Sequence, residues 1–371
     1  VIHAGIGDLY KRMGLTTMDQ TLLAKAEKSY QTALSKDQTL VDSLLNLSIV
    51  QVAMGRAAQG LKGLETLRAR PDFHGNIELE IAKANAALGR YDIAIANYKK
   101  VVEAEPQNLD VQRQLATAYF RNNELTNARS ILEKIERSFT KDSQFQLTLG
   151  HIDFREGKFD ASSTRFQSAV KLNRKAYNAR YWLGRALKAS KKPEVQKAAE
   201  EEFRRVTEAI VKDGKLAESL CDAHRQYATF LSTRLADWKD AELELTRFLK
   251  CQSKSAEGWY ERGRVRADLQ KTKEAIKDFE KAAKLDASMG EAFAQNAYLQ
   301  IRDRNHNKQK VEGLLKKAIR ADGELARPHY LLCNLVKAKN RAQAKRYCQR
   351  YLKLAPNGDN ASEASELLRS L

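Results

Sequence analysis

One spacing constrains this chain more than any other feature: a pattern of large and small apolar residues returns about every 34 residues. Between Gly75 and Asn108 it reads Ala87-Leu88-Gly89-Arg90-Tyr91, then Ala94, Tyr98 and Val101, and it closes on Pro106. Leu109 to Asp142 sets Leu115, Ala116, Tyr119, Ala128, Leu132 and Ile135 at matching offsets. Ser143 to Ala176 sets Leu149, Gly150, Gly157, Phe159, Phe166 and Ala169, and Ala256 to Met289 sets Trp259, Gly263, Ala275, Phe279 and Ala282. A unit this short cannot bury its apolar face alone. Neighbouring units must therefore stack into a linear array.

Inside each unit the apolar residues recur at three- and four-residue spacing, which gives two amphipathic helices, each with one buried stripe. Gly or Ala where the two cross lets the backbones approach. Pro106 and Pro356 follow second helices, where proline ends a helix without breaking it. No segment alternates in the manner of a strand. Val41 to Phe73 is a weaker copy with Leu44, Leu47, Gly55, Gly60 and Leu64. Tyr177 to Gly214 keeps Leu183, Gly184, Ala199, Phe203 and Val206, and Lys191-Lys192-Pro193 lengthens its turn. Looser copies begin near Cys221 (Ala228, Trp238, Ala241, Leu245), Gly290 (Ala297, Val311, Leu315, Ala318) and Ala326 (Leu332, Cys333, Ala344, Cys348). At the start, Gly5 to Gly14 reads as a first helix and Ala26, Tyr30 and Ala33 as its partner, with an insertion around Leu15 to Thr21. That makes about ten repeats over nearly the whole chain, closed by a short solvating cap at Ala361 to Leu371.

These large and small positions resemble those of the tetratricopeptide repeat (TPR) family. The resemblance implies an all-α fold: a right-handed superhelix of antiparallel helix pairs forming one solenoid over residues 1–371. It further implies a non-catalytic scaffold for protein partners, with the first helices lining a concave face. Carried over residue by residue, the family's contact places fall on Arg113, Gln114, Thr117 and Arg121, then on Gln144, His151 and Arg155. They continue through Asn178, Tyr181, Trp182, Arg185 and Lys188, then Arg225, Tyr260, Arg264, Tyr298, Arg302 and Tyr330. Arginine mixed with aromatics suits an acidic, extended segment, because Arg pairs carboxylates bidentately and the rings bury area at low entropic cost. The Lys-Asn clamp that some members use for a terminal carboxylate is not reproduced: Arg113 and Thr117, or Tyr181 and Arg185, stand in its place.

The formal net charge is +18. Residues 1–108 are close to neutral, and the excess lies in residues 109–360. From Ala161 to Pro193 there is no acidic residue, while Arg165, Lys171, Arg174, Lys175, Arg180, Arg185, Lys188, Lys191 and Lys192 all fall there. Such a run is either a solvated face or a site for a polyanion.

Chemistry-bearing motifs are missing. The histidines at 3, 74, 151, 224, 306 and 329 form no metal-binding pair, and no phosphate loop, nucleophile elbow or dinucleotide fingerprint occurs. No enzymatic activity and no cofactor are therefore expected. The Glu200-Glu201-Glu202 run sweeps round a helix and reads as surface. Cys221 and Cys251 share one repeat and Cys333 and Cys348 another, placed so that each pair meets the Cα separation of roughly 4.4–6.8 Å that a disulfide needs. At least one disulfide is expected, against the alternative of four small core residues; a zinc site on Cys221, His224 and Cys251 lacks a fourth ligand.

The leading expectation is a scaffold that holds an acidic or extended partner segment, within a bacterial assembly for secretion, pili, motility or polysaccharide export. Its rivals are binding of nucleic acid or acidic polysaccharide through the basic repeats, and service as the recruiting arm of a larger enzyme. Paired cysteines point to a periplasmic or other extracytoplasmic setting, with the cytoplasm as alternative. No apolar run is long enough to insert in a membrane, and no leader-like start precedes the first helix.

Overall fold

The computed structural model describes residues 2–190, 192–303 and 306–371. Lys191, part of the expected turn extension, lies outside them. All regular structure among the described residues is helical. Two compact units form, Val1–Arg174 and Lys175–Leu371, and the division falls within the acid-free stretch.

The first unit holds five antiparallel pairs: α1 (Ile2–Thr17) with α2 (Gln20–Lys36), α3 (Val41–Ala53) with α4 (Ala57–Arg68), α5 (Glu78–Ala87) with α6 (Tyr91–Ala104), α7 (Leu109–Arg121) with α8 (Leu125–Ile135), and α9 (Ser143–Arg155) with α10 (Phe159–Leu172). The second begins with α11 (Tyr177–Ala189) and α12 (Pro193–Lys212), where Pro193 opens its helix as first-turn proline does. A single extra turn, α13 (Ala217–Leu220), leads into α14 (Asp222–Arg234) and α15 (Trp238–Cys251). Then come α16 (Ala256–Asp268) with α17 (Thr272–Leu285), α18 (Gly290–Ile301) with α19 (Lys308–Ala321), α20 (Ala326–Val336) with α21 (Arg341–Leu354), and the closing helix α22 (Ala361–Ser370). Within each unit, the second helix of a pair packs on the first helix of the next.

Backbone chemistry makes the turns tight. Gly55, Gly89 and Gly157 take positive φ just past first helices, and Met18, Asn123, Ala236 and Gln270 do the same without glycine's freedom. The following N–H then reaches back to close the helix end, as from Arg56 to the Gln51 carbonyl (2.8 Å), Lys158 to Asp153 (2.9 Å) and Lys271 to Arg266 (2.8 Å). This explains a correction at the start of the chain. The expected insertion at Leu15–Thr21 is mostly helix: α1 runs on to Thr17, Met18 supplies the turn at φ +53°, and Asp19 caps α2 by accepting from the Thr21 and Leu22 amides.

Several pairs are held by a small residue on the first helix against a large one on the second. A Cβ on Gly7 would meet the Tyr30 ring at 2.7 Å, one on Gly150 the Phe166 ring at 2.7 Å, and one on Gly263 the Phe279 ring at 2.8 Å. These rings are fully buried, each contributing about 1.5–3 kcal/mol. Buried ion pairs add direction. Arg262 grips Asp278 through two bonds of 2.9 Å, and Arg266 bridges Asp278 (2.9 Å) to Glu242 (2.8 Å) on α15. In the first unit Arg129 reaches Asp153 at 2.7 Å and Glu156 at 2.9 Å.

Two glycines should separate packing from propensity. Gly263→Ala should lower the free energy of unfolding by about 1–3 kcal/mol through overpacking against Phe279. Gly313→Ala on α19, where an added Cβ meets nothing within 4 Å, should raise it by up to about 1 kcal/mol. Urea melts of the two variants read the opposite signs directly.

Candidate partner-binding face

The first helices of the second unit are tied to one another by polar rungs. The Tyr181 hydroxyl on α11 donates to Asp222 Oδ2 on α14 at 2.7 Å, and Lys188 Nζ donates to Gln226 Oε1 at 2.8 Å. Arg225 on α14 donates to Asp222 at 2.8 Å beside it and to Glu261 on α16 at 3.2 Å. Beside these rungs the Arg185 guanidinium lies 4.6 Å over the half-buried Trp182 ring, a cation–π contact. Lys188 sits 5.6 Å over Phe230. Asn178 and Arg264 are exposed on α11 and α16, and Tyr260 packs its ring 5.7 Å from Phe279.

Burial and neighbours tune these charges. Burial raises the Tyr181 hydroxyl, reinforced by Asp222. Burial also pushes the Asp222 carboxyl upward, but the bonds from Tyr181 and Arg225 outweigh it and hold the group below its ordinary value. The Lys188 ammonium is lowered by burial and by the nearby Arg225, and the Glu261 carboxyl is raised by burial. The face thus sets Arg225 between two carboxylates, with a lysine lowered and a glutamate raised by burial beside it.

Of the expected contact residues, Tyr181 turns inward. It is 8% exposed, packed on Trp182 and Phe203, and only its hydroxyl serves the rungs. Tyr330 is likewise buried, 5.3 Å from the Tyr351 ring. Tyr298 lies beneath Arg327 at 3.7 Å, and Arg302 is exposed. Asp222, Gln226 and Glu261 were not anticipated. The Asp222, Arg225 and Gln226 spacing puts those three on one helix face, but their partners on α11 and α16 lie 36 to 41 residues away.

Arg113, Gln114, Arg121, His151 and Arg155 belong to the first unit and form a set of their own. Arg155 lies 4.5 Å over Phe120, which also stacks with His151 at 5.9 Å. Arg113 leans over Phe139 at 5.7 Å and pairs with Asp110 at 3.5 Å. Gln114 is half-buried and Arg121 exposed at the end of α7.

The acid-free stretch does not present all its cations together. Arg165 pairs with Glu136, and Arg180 with Glu202 at 2.9 Å. Arg185 and Lys188 join the rungs, while Lys171, Arg174, Lys175 and Lys192 are exposed.

Three models of the tetratricopeptide repeat match the sequence, over residues 85–152, 147–211 and 256–288. This chain is a TPR protein. No curated protein matches it. The C-terminal part of a TPR repeat-containing protein from Cytophaga hutchinsonii shares the fold, with TM-score 0.54 and 14% identity over 68% of this chain and 98% of that one. PilF of Pseudomonas aeruginosa aligns with TM-score 0.49 and 18% identity over 62% of this chain and 99% of that one. The Cut9–Hcn1 hetero-tetramer of the APC/C gives TM-score 0.42 and 14% identity over 97% and 74%. TPR arrays are scaffolds for protein–protein interaction, generally without catalysis. No helix among the described residues is long and apolar enough to cross a membrane.

Two TPR pairs of this chain carry disulfides. Cys221, at the start of α14, is joined to Cys251, the last residue of α15, with Cα atoms 6.5 Å apart. Cys333 and Cys348 are joined with Cα atoms 5.3 Å apart. They hold the crossing position itself: Cys333 stands on α20 as Gly263 does on α16, and Cys348 follows Ala344 as Phe279 follows Ala275. His224 pairs with Glu244, its Nδ1 meeting Oε2 at 2.5 Å.

Asp222→Asn tests the rungs. A carboxyl held low in the folded state stabilises it above the ordinary range of about 4 and loses that contribution as pH falls through the depressed value. The variant should lose about 1.5–3 kcal/mol at neutral pH. In urea melts at successive pH values, the gap to the parent should close below about pH 4.

Proposed function

We propose that this TPR protein is a non-catalytic scaffold whose first-helix face in the second unit holds an acidic, extended segment of a partner protein. The observation that carries this is the row of Trp182, Arg185, Lys188, Arg225 and Arg264 across α11, α14 and α16. It combines a cation-covered ring with ammonium and guanidinium groups that their neighbours hold in fixed positions. Arginine offers fixed donor pairs to a carboxylate, and the rungs hold the side chains in place before a ligand arrives, which lowers the ordering cost of binding. We further propose, on family analogy alone, that the chain works within a larger bacterial assembly. The two disulfides support an extracytoplasmic, oxidising compartment.

The polyanion reading draws on the exposed Lys171, Arg174 and Lys175, and predicts a different response. With a synthetic extended peptide bearing Asp and Glu between apolar residues, Trp182→Ala or Arg185→Ala should weaken binding at least about tenfold in calorimetry, near 1.4 kcal/mol. Lys308→Ala should leave it unchanged. If those variants are silent while neutralising Lys171, Arg174 and Lys175 abolishes binding of heparin or nucleic acid with steep salt dependence, the chain reads charge instead. For the compartment, peptide mapping without reductant of protein from its native source should recover Cys221–Cys251 and Cys333–Cys348 as linked peptides. Free thiols at all four positions would place it in a reducing one.

A further inference from the structure

On the opposite set of helices, α17 and α19 stand apart and leave a cleft of about 1030 Å³ floored by α18. Its walls are small: Ala283 and Ala287 on one side, Gly313 and Ala321 on the other. The floor offers the half-buried Phe293 ring, with Leu314 beside it. Around this apolar strip stand Lys284, Lys310, Lys317 and Arg320 against one carboxylate, Glu280. Lys310 takes that carboxylate at 3.2 Å. Among the described residues no ion pair engages Lys284, Lys317 or Arg320, and Lys317 hangs 5.9 Å over Phe293.

Gly313 sharpens the point. It lies inside α19, where glycine weakens a helix relative to any ordinary residue. No neighbour in the chain requires it, since an added Cβ would meet nothing within 4 Å. At the same offset the adjacent second helices carry long cations, Lys277 on α17 and Arg346 on α21. A glycine here keeps the wall low for another backbone to approach.

We propose that this cleft is a second docking site, built for an acidic amphipathic helix of a protein partner. Its apolar stripe would lie on Phe293 between the alanines and Gly313, and its flanking carboxylates would face Lys284, Lys317 and Arg320. A helix suits this apolar strip because it satisfies its own backbone groups and asks no hydrogen bonds of the walls. The site is independent of the first-helix face, so the two readings fail separately.

A displayed library of random peptides of about 16 residues, roughly 24 Å if helical, provides the probe, selected against the whole chain carrying Trp182→Ala and Arg185→Ala so that the first-helix face is disabled. The expected winners have apolar residues at three- and four-residue spacing flanked by Asp and Glu. They should bind at least tenfold more weakly when Gly313→Leu fills the cleft or Lys317→Glu reverses its charge. Gly313→Leu points into open space, and a thermal transition no lower than the parent's confirms that it folds. Absence of such peptides, indifference of the winners to Gly313→Leu, or their displacement by heparin alone with no change in Gly313→Leu would overturn the proposal.

Discussion

The helix pairs of this protein depend on close approach at a small residue, in several of them a glycine against a buried ring. Where Gly150 meets Phe166 and Gly263 meets Phe279, no Cβ fits between the backbone and the ring, so the helices cross at one depth and one angle. That crossing fixes which stripe of each helix is left for the neighbouring pair. The same geometry then repeats, and stacking follows from a purely local fit. In the last pair the contact has become covalent, with Cys333 and Cys348 in place of glycine and ring.

Because the crossing consumes one stripe of every helix and stacking a second, the remaining faces are free to differ. First helices of the second unit spend theirs on the Tyr181–Asp222 and Arg225–Glu261 rungs, which order long cations beside Trp182. Between the second helices α17 and α19, α18 leaves an apolar floor beneath lysines of which only Lys310 is ion-paired among the described residues. One backbone plan thus carries two chemically distinct surfaces, and the identity of the partner is written in the side chains that packing does not need.

The fold was legible because its determinants are local and periodic. Gly89, Gly157 and the crossing residues announce turns and contacts from single positions, so the pairs from Val41 to Leu354 fall where the spacing puts them. Met18 hid the first turn, since nothing in methionine marks a left-handed residue, and the helical Leu15–Thr17 therefore read as insertion. The candidate face was legible only to the level of helix and register. Tyr181 sits on the expected helix, but a small rotation about the axis separates groove from core, and its ring went inward to Phe203. Asp222 and Glu261 escaped notice because their importance lies in partners 41 and 36 residues away, which spacing within one helix cannot show. The acid-free run looked like one patch in sequence. In space Arg165 and Arg180 found Glu136 and Glu202 beyond it.

The central claim, that a partner segment is held on the first-helix face of the second unit, is tested most directly by hydroxyl-radical footprinting with and without the acidic extended peptide. The half-buried Trp182 and Tyr260 side chains should lose oxidation when peptide is present, while Trp238 on α15 and Phe293 in the cleft should not change. Unaltered oxidation of Trp182 and Tyr260 at saturating peptide, with protection appearing on second helices instead, would contradict it.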